Sequence, residues 1–207
     1  MKRIALLLVL ALAACVSDAG PGARPLLPNG AGTKKAAQKP HGGPLLAIGD
    51  SLLVGALNHG NLEADLAEDG WELEMIAENG RSVRWAVDQI QFRNDVPRYV
   101  VVVLGSNPGF SSDGFADDVE ELRDELVSRG ARRILWIPPH HPDPTRYQTK
   151  LEILADADRA DGALTVPDWG AVLDANPDWV NSDGVHLSEE GYTAMAGFIR
   201  DALARLG

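Results

Sequence analysis

At 207 residues with 45% apolar side chains, the chain is long enough for one domain with a packed core plus appendages. Its 30 acidic against 19 basic residues leave a net charge of -11, which argues against nucleic acid as a partner, because affinity for a phosphate backbone comes from Lys and Arg. Cys15 is the single cysteine, so no intrachain disulfide is available and the domain must be held by its core.

The chain begins with Met1, Lys2 and Arg3, followed by an apolar run over 4–14 that is too short to cross a bilayer as a helix; residues 1–14 read as a signal peptide. The run closes on Leu12-Ala13-Ala14-Cys15, which resembles the bacterial lipobox. That resemblance implies cleavage before Cys15 and a diacylglycerol thioether on its sulfur. The alternative is a small-residue cleavage site that happens to include a cysteine. Several acyl chains anchor stably where one is marginal, so a lipidated N-terminus is the expected contact with the membrane. Position 16 is valine, which leaves the destination membrane undecided. Residues 15–44 are rich in Gly, Pro, Ala and Lys with few large apolar side chains, the composition of a flexible linker. Lys34, Lys35 and Lys39 in it read as a solvated tether. Six basic residues but only Asp18 among the acidic ones precede residue 45, so the domain over 45–207 is more acidic than the whole chain. The expected localisation is the cell envelope, outside the cytoplasm.

Within the domain the periodicity alternates between strand and helix. Residues 45–48 form a short buried strand, 71–76 alternate as a half-exposed edge strand would, 99–104 are a continuous apolar run, and 134–137 and 164–166 follow. Phe115, Val119, Leu122 and Leu126 share one helical face, with Gly130 placed to end that helix. A last helix begins near Ser188 and is expected to bury Tyr192, Met195, Ile199, Leu203 and Leu206. Five such units predict an α/β fold, a three-layer α/β/α sandwich around a five-stranded parallel sheet of flavodoxin-like type. Ligands of such sheets collect outside the carboxyl ends of the strands.

The chemistry-bearing residues fall on that rim. Ser51, in Ile48-Gly49-Asp50-Ser51-Leu52, follows the first strand, and Asp183-Gly184-Val185-His186-Leu187 precedes the last helix. A serine becomes a useful nucleophile when a base within hydrogen-bond reach takes its proton and a carboxylate orients that base. Ser51, His186 and Asp183 supply these three roles. Acyl transfer also needs donors for a developing oxyanion. Ser51 and Gly80, the latter in Glu78-Asn79-Gly80-Arg81-Ser82, offer backbone N–H groups, and Asn107, in Leu104-Gly105-Ser106-Asn107-Pro108-Gly109, offers an amide. Leucine at position 53 departs from the Gly-x-Ser-x-Gly elbow, which disfavours the α/β-hydrolase fold. With Ser51, Gly80, Asn107 and His186 in this order, the chain resembles the SGNH (GDSL-like) hydrolases, a family of esterases, lipases, deacetylases and some acyltransferases. The resemblance runs from residue 45 to the end. It implies a serine esterase that needs no cofactor and no metal. Pro108 stands where the commoner motif has aspartate.

Each residue also has a plainer reading: Ser51 as a helix N-cap, Gly80 as a left-handed turn residue, Asn107 and Asp183 as turn formers, His186 as a loop histidine. Their joint order and strand-end placement favour the catalytic reading. The pair His140-His141 with Asp143 has no third strong ligand at matching spacing, which argues against a metal; on this rim His140 or His141 is expected to line the acyl or leaving-group pocket. Trp169 and Trp179 serve either as a platform for a sugar ring or as core. The function expected is hydrolysis of short-chain carboxylic esters, with O-acetyl groups on carbohydrate as the substrate class, since little chain is left for an apolar lid. The alternatives are an O-acyltransferase acting on a cell-envelope glycan and a non-catalytic envelope-binding lipoprotein.

Overall fold

The computed structural model describes residues 42–108, 114–160 and 162–206. The signal peptide, Cys15 and nearly all of the linker expected from the sequence lie outside the described residues. Five strands, β1 (Gly43–Gly49), β2 (Trp71–Ala77), β3 (Tyr99–Val103), β4 (Arg133–Ile137) and β5 (Leu164–Thr165), pair in parallel in the order β2-β1-β3-β4-β5. Strand boundaries move by one or two residues from those read off the sequence. Leu104, for example, lies just past β3, where its carbonyl accepts the indole N–H of Trp136 at 3.1 Å.

Strand side chains alternate between faces, and here the alternation divides the core in two. Leu45 and Ala47 of β1, Val101 and Val103 of β3, and Leu135 and Ile137 of β4 face one cluster. It is covered by α1 (Ser51–Asn58), α2 (Leu62–Glu68), α6 (Trp169–Asp174) and α7 (Glu189–Arg205). Their neighbours Leu46, Ile48, Val100, Val102, Ile134 and Trp136 face the other. That side is covered by α3 (Val83–Ile90), α4 (Phe115–Ser128) and α5 (Gln148–Ala160). Residues 45–48 are fully buried on both faces, which is why β1 reads as an uninterrupted apolar run. Glu72, Glu74 and Met75 are exposed on β2, as befits an edge strand.

In α4, Phe115, Val119, Leu122 and Leu126 are buried, and Gly130, at φ +121°, ends the turn beyond Arg129. Ser188 caps α7 by accepting the Gly191 N–H at 3.2 Å. Tyr192, Met195, Ile199 and Leu203 are buried in α7, whereas Leu206 lies past its last helical residue and is only half-buried.

This strand order decides where the site lies. The chain moves from β1 to β2 on one side and then returns to add β3 on the other. The carboxyl ends of β1 and β3 therefore bound the crevice at which the winding reverses, the place where open α/β sheets bind ligands.

Candidate active site

Gly49 closes β1 because a Cβ there would come within 2.6 Å of the Leu53 Cβ and 2.9 Å of the Val103 carbonyl oxygen. Asp50 follows as the N-cap of α1, its Oδ1 accepting the Leu52 N–H at 3.0 Å. Ser51 is thus the first helical residue and not the cap, which corrects the plainer reading of its role. Asp50 does the capping, and the Ser51 hydroxyl is left to face His186, whose Nε2 lies 2.9 Å from Oγ.

The other ring nitrogen of His186, Nδ1, lies 2.7 Å from Asp183 Oδ2. A carboxylate accepts only, so Nδ1 carries the proton and the Nε2 lone pair faces the serine hydroxyl. Asp183 Oδ1 accepts the N–H groups of Val185 and His186, both at 2.9 Å. Hydrogen bonds from the imidazole and then from these two amides lower the Asp183 pKa to about 2. Gly184 makes the turn at φ +74°. The antiparallel bridge between Val180 and Leu187 closes the loop, and Asn181 N–H donates to the His186 carbonyl at 2.8 Å. Asp183 and His186 remain 52% and 43% exposed, so this pair is assembled in contact with solvent.

Ser51, Gly80, Asn107 and His186 line one cavity of about 540 Å³. Gly80 has φ +77° and an added Cβ would meet nothing within 4 Å, so its backbone faces open space. Among the described residues no hydrogen bond takes up the N–H of Ser51 or of Gly80. The Asn107 amide donates to Asp50 Oδ2 at 2.9 Å and, at the longer distance of 3.2 Å, to the Arg81 carbonyl. Pro108 has not turned this side chain away from the cavity.

Asp50 is the residue whose second role the sequence does not announce. Fully buried, it accepts from Leu52 N–H, from Ser106 Oγ at 2.5 Å and from the Asn107 amide. Burial raises its pKa, and those three hydrogen bonds pull in the opposite direction. An Asp between a strand and a helix signals an N-cap; its bonds to residues more than fifty positions away exist only in the folded chain.

The remaining residues singled out in the sequence separate from this cavity. His140 and His141 line a different one, of about 420 Å³, together with Tyr147, Leu151, Asp168 and Asp174. His141 instead backs the loop that carries Asp183 and His186: a Cβ on Gly184 would collide with its imidazole. Its Nδ1 is occupied by the Asp143 N–H at 2.9 Å. Among the described residues no three His, Cys, Asp or Glu side chains are grouped to hold a metal ion. Trp169 is 1% exposed and packs on Phe198 at 5.0 Å between ring centroids, and Trp179 is half-buried against the same cluster. Trp169 is core and offers no sugar platform, and Trp179 keeps part of its ring at the surface.

Residues 45–199 match the family model described as GDSL-like Lipase/Acylhydrolase. The chain belongs to this family. It is therefore an ester-acting hydrolase of the GDSL/SGNH kind, with the sheet and flanking helices described above. Among solved structures, it is similar to the C-terminal catalytic domain of peptidoglycan O-acetyltransferase A from Streptococcus pneumoniae. They are 22% identical with a TM-score of 0.62, over 80% of this chain and 94% of that one. An acetylxylan esterase from Geobacillus stearothermophilus, solved as a catalytic mutant, is also 22% identical with a TM-score of 0.62, over 79% and 95% of the two chains. A carbohydrate esterase family 3 protein from Talaromyces cellulolyticus is 13% identical with a TM-score of 0.60, over 79% and 97%. At these identities the likeness is one of fold. No curated protein matches the chain.

Proposed function

We propose that this family member is a lipid-anchored serine esterase of the cell envelope that removes short acyl groups, acetyl foremost, from carbohydrate, through an acyl-enzyme on Ser51. The hydrogen-bonded chain from Ser51 Oγ through His186 to Asp183, opening onto the cavity that Gly80 and Asn107 share, carries this reading. His186 Nε2 takes the hydroxyl proton as Oγ attacks the ester carbonyl, and Asp183 holds the imidazolium that forms. The Ser51 and Gly80 N–H groups and the Asn107 amide meet the oxyanion, whose oxygen displaces the Arg81 carbonyl and the Ser106 hydroxyl, the two longer of the amide's three contacts. His186 then protonates the leaving alcohol. Water, deprotonated by the same nitrogen, releases the acyl group.

The cavity wall supports a short acyl group and a hydroxylated alcohol. Beyond the catalytic side chains it presents Asn58, His59 and Asn79 beside Val54 and Tyr192, so a hydroxylated alcohol finds amide and imidazole partners next to a small apolar patch sized for a short acyl group. Tyr192 packs so closely on Gly55 that a Cβ there would overlap its ring, which closes that direction. The solved structures similar in fold include an acetylxylan esterase and a peptidoglycan O-acetyltransferase domain, and the latter favours a second reading in which a sugar hydroxyl replaces the water. Anchoring rests on Leu12-Ala13-Ala14-Cys15 behind a basic, apolar N-terminus.

p-Nitrophenyl esters from acetyl to palmitoyl, with and without sugar acceptors, test the activity. The expected kcat/KM is highest for acetyl or butyryl; a value rising beyond octanoyl overturns the short-acyl assignment, and transfer outrunning hydrolysis replaces esterase by transferase. Labelled fatty acid should enter the wild-type protein but not Cys15→Ser. A wild-type protein free of label refutes the anchor.

A further inference from the structure

The segment carrying Asn107 is tied down by side chains that the reaction above does not use. Leaving β3, residues 105–107 present three consecutive backbone carbonyls, and all three are taken from one place. Lys150 Nζ donates to the Gly105 carbonyl at 2.7 Å and to the Asn107 carbonyl at 3.2 Å, and Tyr147 Oη donates to the Ser106 carbonyl at 2.9 Å. Lys150 lies in the first turn of α5 and Tyr147 just before it. On the opposite side Asp50 holds the Ser106 and Asn107 side chains.

The surroundings of Lys150 are unusual for a lysine. Its ammonium stands 5.0 Å from the Phe115 ring centroid and 5.5 Å from that of Tyr147. Burial lowers its pKa, opposed by the negative charge of Asp50. Among the described residues its hydrogen-bond partners are carbonyls and not a carboxylate. A cation moved partly out of water toward neutral acceptors forms charge-assisted bonds, roughly twice as strong as neutral ones, and here they converge on one short loop.

We propose that Lys150, seconded by Tyr147, is a positioning residue that holds the 105–107 loop so that the Asn107 amide is already aimed when charge develops on the substrate oxygen. The inference rests on the reading of Asn107 as an oxyanion donor. Oxyanion stabilisation depends on donors fixed before the reaction, since a loop that must reorganise during it loses much of the benefit. Asn107 has a proline on its C-terminal side in place of the commoner aspartate, and the α5 clamp supplies the restraint from across the fold.

The test is a double-mutant cycle on p-nitrophenyl acetate with Lys150→Met, Asn107→Ala, the double variant and Ser51→Ala. Lys150→Met should lower kcat by about tenfold or more with KM within about twofold, and should add no further loss in the Asn107→Ala background. Lys150→Arg, which retains the charge and the donors, should recover part of the loss. Equal losses in both backgrounds, a change confined to KM, or a wild-type kcat for Lys150→Met overturns the clamp. If Lys150→Met does not fold, Tyr147→Phe, which removes one hydroxyl, carries the same cycle with a smaller expected loss, and additivity there is equally decisive against it. Normal turnover by Ser51→Ala overturns the underlying site as well. An inactive Ser51→Ala and an impaired Asn107→Ala beside an unimpaired Lys150→Met remove the clamp alone.

Discussion

The two halves of the site are built in opposite ways. On the side of Ser51 and Asn107, Asp50 is fully buried and its partners come from α1 and from the loop after β3. On the side of Asp183 and His186, both side chains are about half exposed, and the bonds that shape the loop join residues between Trp179 and Ser188. The first half is held by packing between distant elements and the second by a local turn. Charge in the buried half is only weakly screened, so donor placement there matters most, whereas the exposed pair depends on short, well-aligned hydrogen bonds that function in contact with water. Loss of the buried Asp50, which ties the first half together, should therefore reach stability as well as activity. Damage to the second half should fall mainly on activity, with smaller effects on stability from the turn and from the ionised Asp183.

The largest effects test that division directly. Ser51→Ala and His186→Ala should each lower turnover on a short p-nitrophenyl ester by about 10⁴-fold or more and abolish labelling by a fluorophosphonate, with melting temperatures near that of the wild type. A large loss of stability in His186→Ala would break the comparison, because it would make the exposed loop part of the packed fold. Next, Asn107→Ala should lower kcat by roughly 10² to 10³ with little change in KM. Asp50→Ala should match that loss and in addition destabilise the fold by about 2 kcal/mol, since it removes a helix cap and strands buried donors. Denaturant unfolding of the two variants side by side separates capping from aiming.

On the exposed side, Asp183→Asn should slow turnover by about tenfold or more through the wrong histidine tautomer. Its stability effect has a defined pH window. The Asp183 pKa falls from 3.8 to about 2 on folding, so its ionised form favours the folded state above pH 3.8, and that contribution disappears as pH drops through about 2. The difference in melting temperature between wild type and Asp183→Asn should be constant near neutrality and shrink only below about pH 4. A difference already fading at pH 6 would mean that another group governs the loop. Smallest of all, Gly184→Ala should cost about 1–2 kcal/mol, since its φ of +74° disfavours a Cβ and His141 must move aside. A melting temperature unchanged in Gly184→Ala would show that His141 does not brace the turn.

What is legible in the sequence follows the same division. The Asp-x-x-His of the loop between Trp179 and Ser188 can be read because the bonds that shape it are local, with Asp183 accepting from residues two and three positions on. Ser51 and Gly80 are legible from strand-end placement. Sequence reasoning puts His140 and His141 in the wrong cavity, because a position on the correct rim does not say on which side of the Gly184 turn a ring will lie. Trp169, near the site in sequence, is core in space, and Trp179 packs half-buried against the same cluster. Asp50, Lys150 and Tyr147 carry no signal beyond an N-cap and two ordinary helix-start residues.

By itself the sequence determined the alternation of strand and helix, the sandwich, and the order of the four blocks, because apolar periodicity and local turn chemistry are properties of neighbouring residues. The strand order β2-β1-β3-β4-β5 was a matter for the tertiary structure, and with it the crevice between β1 and β3 where Ser51 and Asn107 meet. So were the burial of Asp50 and the hold of Lys150 on residues 105–107. These contacts join residues some forty to sixty positions apart, and no local pattern encodes them, since they arise only when packing removes the groups from water and brings their distant partners within reach.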